Sequence, residues 1–194
     1  MKSARPCYGS SVSTLLAVDP GLNAPACALF RSGTLVIAEP VKIPRALSKL
    51  DLIDRCRQVA QLIMQWYVAK VAQQWATGTQ SPLHLVVERP QIYRGSKSKG
   101  DPNDLPPMVG IDAALAAYLD CPVTSYLPRE WVGGTSKAET GDPWKSPRGH
   151  RVWGRLTEAE RAVVVPTHDV IDAVGIGLCY LKRFDPVRVY PGAT

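Results

Sequence analysis

The chain has 194 residues, 45% of them hydrophobic and 21% charged, enough apolar material for one domain of ordinary size, which excludes a long disordered or low-complexity protein. Its formal charge of +6 and pI of about 9.2 favour a polyanionic partner such as nucleic acid. No run reaches the ~18 apolar residues of a membrane span, and five widely spaced cysteines (Cys7, Cys27, Cys56, Cys121, Cys179) show no zinc-like pattern, so reduced thiols and a cytoplasmic setting are expected.

Residues 1–12 read as a flexible leader without the apolar stretch of a signal peptide. Residues 14–18 (TLLAV) form a short apolar run that predicts a buried strand, and Asp19, Pro20 and Gly21 stop it sharply. Residues 26–30 and 34–41 predict two further strands, joined as a hairpin by Arg31, Ser32 and Gly33. Ser48 with Asp51 resembles a capping box, and Leu52, Cys56, Val59, Ile63, Trp66 and Lys70 trace the stripe of a long helix ending near Gly78. Residues 83–87 are another buried strand, ending at Glu88 and closed by Arg89 and Pro90.

Residues 91–107 form a basic, Gly/Pro-rich loop. Residues 108–119 predict a helix with Ala113, Ala114, Ala116 and Ala117 on a small-residue face, and 122–127 a strand. A polar stretch rich in Gly, Pro and Trp fills about 128–155. Residues 156–164 predict a short helix, and Thr167 caps a last helix reaching about Phe184. The order implies an α/β fold: a five-stranded mixed sheet, its first three strands antiparallel and the later ones parallel, with helices on both faces. One domain over 13–186 is expected, with 187–194 as a tail.

Four acids stand out. Asp19 and Glu88 end strands whose C-terminal ends lie side by side if the strands are parallel neighbours. Asp169 and Asp172, three apart, share a face of the last helix. Like charges gathered this way repel, and divalent cations resolve the repulsion: hard carboxylate oxygens suit Mg²⁺, with Mn²⁺ as its substitute, and two such ions can activate a water against a phosphodiester. Each acid also has a plain reading. Asp19 serves a turn, Glu88 a surface, and Asp169 a helix dipole. Asp172 is different, because Val170, Ile171, Ala173 and Val174 surround it and a carboxylate there needs a partner, a metal or exposure. His168 reads as a cap or as support behind the ligands rather than a ligand.

The segments holding Val18 to Gly21, Val86 to Gln91 and His168 to Ile176 together resemble RuvC-type Holliday-junction resolvases, in particular the small RuvC-like proteins of phages and mobile elements. The resemblance runs from about Thr14 to Phe184. It implies an RNase H-like fold, a homodimer, Mg²⁺-dependent cleavage of branched DNA, and a four-acid site at Asp19, Glu88, Asp169 and Asp172, in a phage-infected bacterial host if that branch applies. No organic cofactor and no membrane partner are implied. Some members carry histidine where Asp169 stands. The sequence departs from the family at Leu22 to Ala26, where a Thr–Gly pair is common, and over 131–150; Tyr93 is the nearest candidate for the aromatic wedge that members carry after the fourth strand.

Two basic segments are expected to meet DNA. Arg94, Lys97 and Lys99 sit in the loop beyond Glu88, where they can follow a phosphate backbone. Lys137, Arg148 and Arg151 lie in the second segment, interleaved with Trp131, Trp144 and Trp153; the tryptophans either stack on unpaired bases or form a small core. Any of the three cations could steady charge developing at phosphorus. The alternatives are an RNase H-like nuclease acting on a flap, an RNA–DNA hybrid or other branched DNA, and an inactive DNA-binding protein with a relic site. An actin-like nucleotide-binding fold is a third, disfavoured by the short chain and the lack of a second phosphate loop.

Overall fold

The computed structural model describes residues 14–74, 82–89, 105–131 and 142–184. Its centre is a sheet of five strands, β1 (Thr14–Asp19), β2 (Ala26–Arg31), β3 (Thr34–Pro40), β4 (Leu83–Glu88) and β5 (Val123–Tyr126), in the order β3-β2-β1-β4-β5. β1 and β3 run antiparallel to β2, and β1, β4 and β5 run parallel. This is the mixed sheet that the sequence predicts.

Side-chain alternation explains why β1 is buried along its whole length. Leu16 and Val18, with Leu85 and Val87 of β4, face the apolar stripes of α1 (Leu52–Gln74) and α2 (Leu105–Leu119): Cys56, Val59, Ala60, Ile63, Ile111 and Leu115. Leu15 and Ala17, with Phe30 and Val86, face the opposite side, under α6 (His168–Tyr180). Successive residues of a strand point to opposite faces, so a strand covered on both faces must be apolar throughout. Asp19 breaks that rule at the strand end, only 9% exposed. The edge strand β3 is partly covered: Ala38 N–H donates to the Val163 carbonyl at 3.0 Å, and Val165 N–H to the Ala38 carbonyl at 2.8 Å. No helix among the described residues is long and apolar enough to cross a membrane.

The β2–β3 hairpin turns on two residues, Ser32 (φ 48°) and Gly33 (φ 81°). Both are left-handed, as a two-residue turn matching strand twist requires. Elsewhere the structure corrects the sequence reading. Ser48 does not cap α1: it lies in a 3₁₀ turn, Arg45–Lys49, and its hydroxyl donates to the Arg45 carbonyl. Asp51 is the cap, accepting from Asp54 N–H at 3.0 Å. The expected stop near Gly78 lies outside the described residues. In α2 the core face belongs to Ile111 and Leu115, while Ala113 and Ala117 are exposed.

The helix predicted over 156–164 shortens to α5 (Glu158–Arg161), opened by a capping box between Thr157 and Glu160. α6 stops at Tyr180 rather than Phe184. Lys182 is left-handed (φ 56°), its N–H bonds to the Cys179 carbonyl, and Arg183 N–H reaches back to the Leu178 carbonyl. That is a Schellman ending with lysine where glycine is usual, so the sequence carries no glycine to announce it. The stretch from 128 to 155 is helical over much of what the structure describes. It contains α3 (Pro128–Trp131) and α4 (Pro147–Trp153), and Trp131 and Val152 join the same apolar cluster as α6.

Candidate functional site

β1 and β4 pair in parallel with Val18 opposite Val87. The next residues on the two strands are Asp19 and Glu88. By alternation both side chains lie on the α6 face, with Ala17 and Val86. α6 lies against that face because its glycines allow it. A Cβ on Gly177 would stand 2.2 Å from Phe30 Cε2 and 3.1 Å from Ala17 Cβ, and one on Gly175 would stand 2.5 Å from Trp131 Cζ3. Close packing of helix on sheet carries the first turns of α6, with Asp169 and Asp172, to the strand ends.

The result is one cleft of about 390 Å³ into which Asp19, Glu88, Asp169 and Asp172 all project. Its other walls are the loop of Gly21, Leu22, Asn23 and Ala24 and the first turn of α2 at Pro107 and Met108. Arg55 of α1 donates to Asn23 Oδ1 and ties that loop to the helix.

Two of the carboxylates have partners that sequence reading missed. Trp131 Nε1 donates to Glu88 Oε2 at 3.0 Å. Arg148 Nη1 donates to both Oδ1 and Oδ2 of Asp172 at 2.9 Å, and its guanidinium lies 5.3 Å from the centre of the Trp131 ring. Asp172 is 2% exposed, so this pair neutralises a charge that burial would otherwise make costly. A fifth acid stands behind the cleft. Asp112 follows Met108 by one turn of α2, and its Oδ1 is sealed from solvent without a hydrogen bond. Burial first, and then the Glu88 charge, push its pKa up to about 8. Its signal in the sequence was being the one charged residue in α2.

Of the expected DNA contacts, the structure describes Arg148 and Arg151. Arg148 is paired with Asp172, and 14% of its side chain is exposed. The Arg151 guanidinium lies 4.7 Å over the Phe184 ring. Trp131 is a core residue, 1% exposed, and is not available to stack on a base. Trp144 and Trp153 pack on each other at 4.4 Å between ring centres. Half-buried His168 opens α6 and is not among the residues lining the cleft. Tyr93, Arg94, Lys97, Lys99 and Lys137 lie outside the described residues.

The donor set fits a hard divalent cation, since it is all carboxylate oxygen in a single cleft. Among the described residues no three acids, histidines or cysteines converge to metal-ligating distance as they stand; Arg148 and Trp131 hold two of the four carboxylates.

Among solved structures, Thermus thermophilus RuvC in complex with Holliday junction substrate superposes with a TM-score of 0.52, covering 86% of this chain and 90% of that one at 18% identity. The fold is that of RuvC. A second T. thermophilus RuvC structure matches at 0.49 and 18% identity over 86% and 92% of the two chains. The yeast mitochondrial Holliday junction resolvase Ydc2 also matches at 0.49, with 12% identity over 92% and 80%. No protein-family model and no curated protein sequence matches the chain. In this RuvC-like fold the four acids fall at the C-terminal ends of two parallel strands and in the first turns of the helix covering them.

Proposed function

We propose that this protein is a metal-dependent endonuclease that hydrolyses DNA phosphodiesters, with a four-way junction as substrate and a homodimer as working form. The observation that carries the reading is the convergence of Asp19, Glu88, Asp169 and Asp172, from three separate elements, on one cleft. The RuvC-like fold supports the substrate, since T. thermophilus RuvC is known in complex with a Holliday junction. The charge of +6 supports a polyanionic partner.

The four carboxylates would hold Mg²⁺ or Mn²⁺, and cations bound there supply Lewis-acid stabilisation of phosphate and a lowered pKa for water. The chain's own residues do the rest. Asp19 and Glu88 stand on adjacent parallel strands, so the sheet fixes their separation. Trp131 orients Glu88 by its indole N–H. Arg148 brings a positive charge to Asp172, where it would offset negative charge growing on the phosphoryl oxygens. A two-fold dimer would set two such clefts on a two-fold substrate.

Cleavage of a synthetic four-way junction tests this, beside linear duplex, a flap and an RNA–DNA hybrid, with Mg²⁺ or Mn²⁺. Paired nicks in the junction alone are expected from wild type and none from Asp19→Asn. Cutting of another substrate would reassign the substrate, and binding without any cutting would leave a DNA-binding protein.

A further inference from the structure

α6 is buried continuously from Val170 to Leu178. Asp172 is the one charged residue in that run, and a buried carboxylate without a partner is costly. Arg148 is that partner, through one nitrogen that reaches both carboxylate oxygens at 2.9 Å. The Arg148 side chain keeps 14% of its surface exposed against 3% for that of Asp172, so solvent reaches the cation more than the anion. The face of Trp131 lies beside the guanidinium, a surface along which a planar cation can swing at low cost. Trp131 itself is fixed, packed on Gly175 and bonded to Glu88.

We propose that Arg148 is an exchangeable counter-ion: it occupies Asp172 in the resting protein and gives the carboxylate up to a divalent cation, turning its guanidinium to a DNA phosphate. This rests on the metal-dependent reading above. The two cations compete for the same pair of oxygens, and like charges at that separation repel. Guanidinium suits phosphate as well as carboxylate, so Arg148 keeps an anionic partner on both sides of the exchange. Cation binding and DNA binding then become coupled, each favouring the other through the release of one side chain. In the absence of DNA the site would hold cations weakly, which restrains cutting until a substrate is in place.

The test is Mn²⁺ titration by calorimetry on the DNA-free protein, for wild type, Arg148→Gln and Asp19→Asn. Arg148→Gln is expected to bind Mn²⁺ roughly tenfold tighter than wild type, because Asp172 has lost its internal competitor, while its affinity for a four-way junction falls. Unchanged or weaker Mn²⁺ binding in Arg148→Gln, with binding still lost in Asp19→Asn, would overturn the exchange and leave the metal site standing. Absence of Asp19-dependent Mn²⁺ binding in every protein would defeat the metal-dependent reading itself, and the exchange with it.

A second measurement holds if Arg148→Gln fails to fold. In wild type labelled with ¹⁵N-arginine, with Arg148→Lys used for assignment, the Arg148 Nη resonances should shift on adding Mg²⁺, and should stay put in Asp19→Asn. Mg²⁺ binding by calorimetry with those resonances unmoved would refute the proposal.

Discussion

Burial alone would raise the pKa of Glu160, which is 2% exposed. Hydrogen bonds reverse that effect. Arg183 donates to Oε1 at 2.5 Å and to Oε2 at 2.8 Å, and the N–H groups of Leu35 and Thr157 add 2.9 Å and 2.8 Å bonds. They hold the carboxyl at about 2, below its ordinary 4.5. A depressed folded pKa favours the native state while the group is ionised, so its contribution is complete above about 4.5 and fades as pH falls toward 2. Glu160→Gln should therefore cost about 3 kcal/mol near neutrality. Urea denaturation at a series of pH values should show wild type and variant converging as pH drops to about 2; a constant gap would refute the assignment. Glu160 and Asp172 are both buried acids paired to arginine, yet they differ in place. Glu160 ties β3 to the chain after α6, whereas Asp172 faces the cleft.

At the scale of elements, α6 carries the most consequence. Gly177→Ala forces a methyl into Phe30, and overpacking of that kind costs about 1–3 kcal/mol, to be read as a lowered Tm. Gly175→Ala meets Trp131 instead. Because Trp131 bonds Glu88, the proposed nuclease function predicts that this variant loses cleavage out of proportion to its loss of stability, which single-turnover kinetics beside a melting curve would reveal. The strands, the hairpin turn and the four acids were legible in the sequence because each has a local signature: an apolar run, a Ser–Gly pair, an acid closing a strand, two acids three apart in an apolar helix. The clamp of Trp131 on Glu88 and Arg148 on Asp172 had none. Its partners are 43 and 24 positions apart, and α3 and α4 are too short to show periodicity. Of the two readings of the tryptophans in that segment, base stacking or a small core, Trp131 takes the core, which the close approach of Gly175 makes possible.

For the molecule as a whole, the charge of +6 bears on binding more than on fold. Affinity for DNA should fall steeply with salt, on the order of a hundredfold or more between about 50 and 200 mM if several phosphates are neutralised; a flat response in a fluorescence-anisotropy titration would argue against a backbone-tracking surface. The sheet order has a further consequence, one of timing. β1 sits at the centre of the sheet, yet one of its faces is covered by α6, close to the other end of the described chain. During synthesis that apolar face stays bare until residues 168–180 have left the ribosome. A polypeptide broken off before α6 has neither a closed core nor Asp169 and Asp172, so an unfinished copy would be unable to assemble the four-acid cleft and would be marked for removal by its exposed strand. The cleft would thus stay unformed until the last of the described helices arrives.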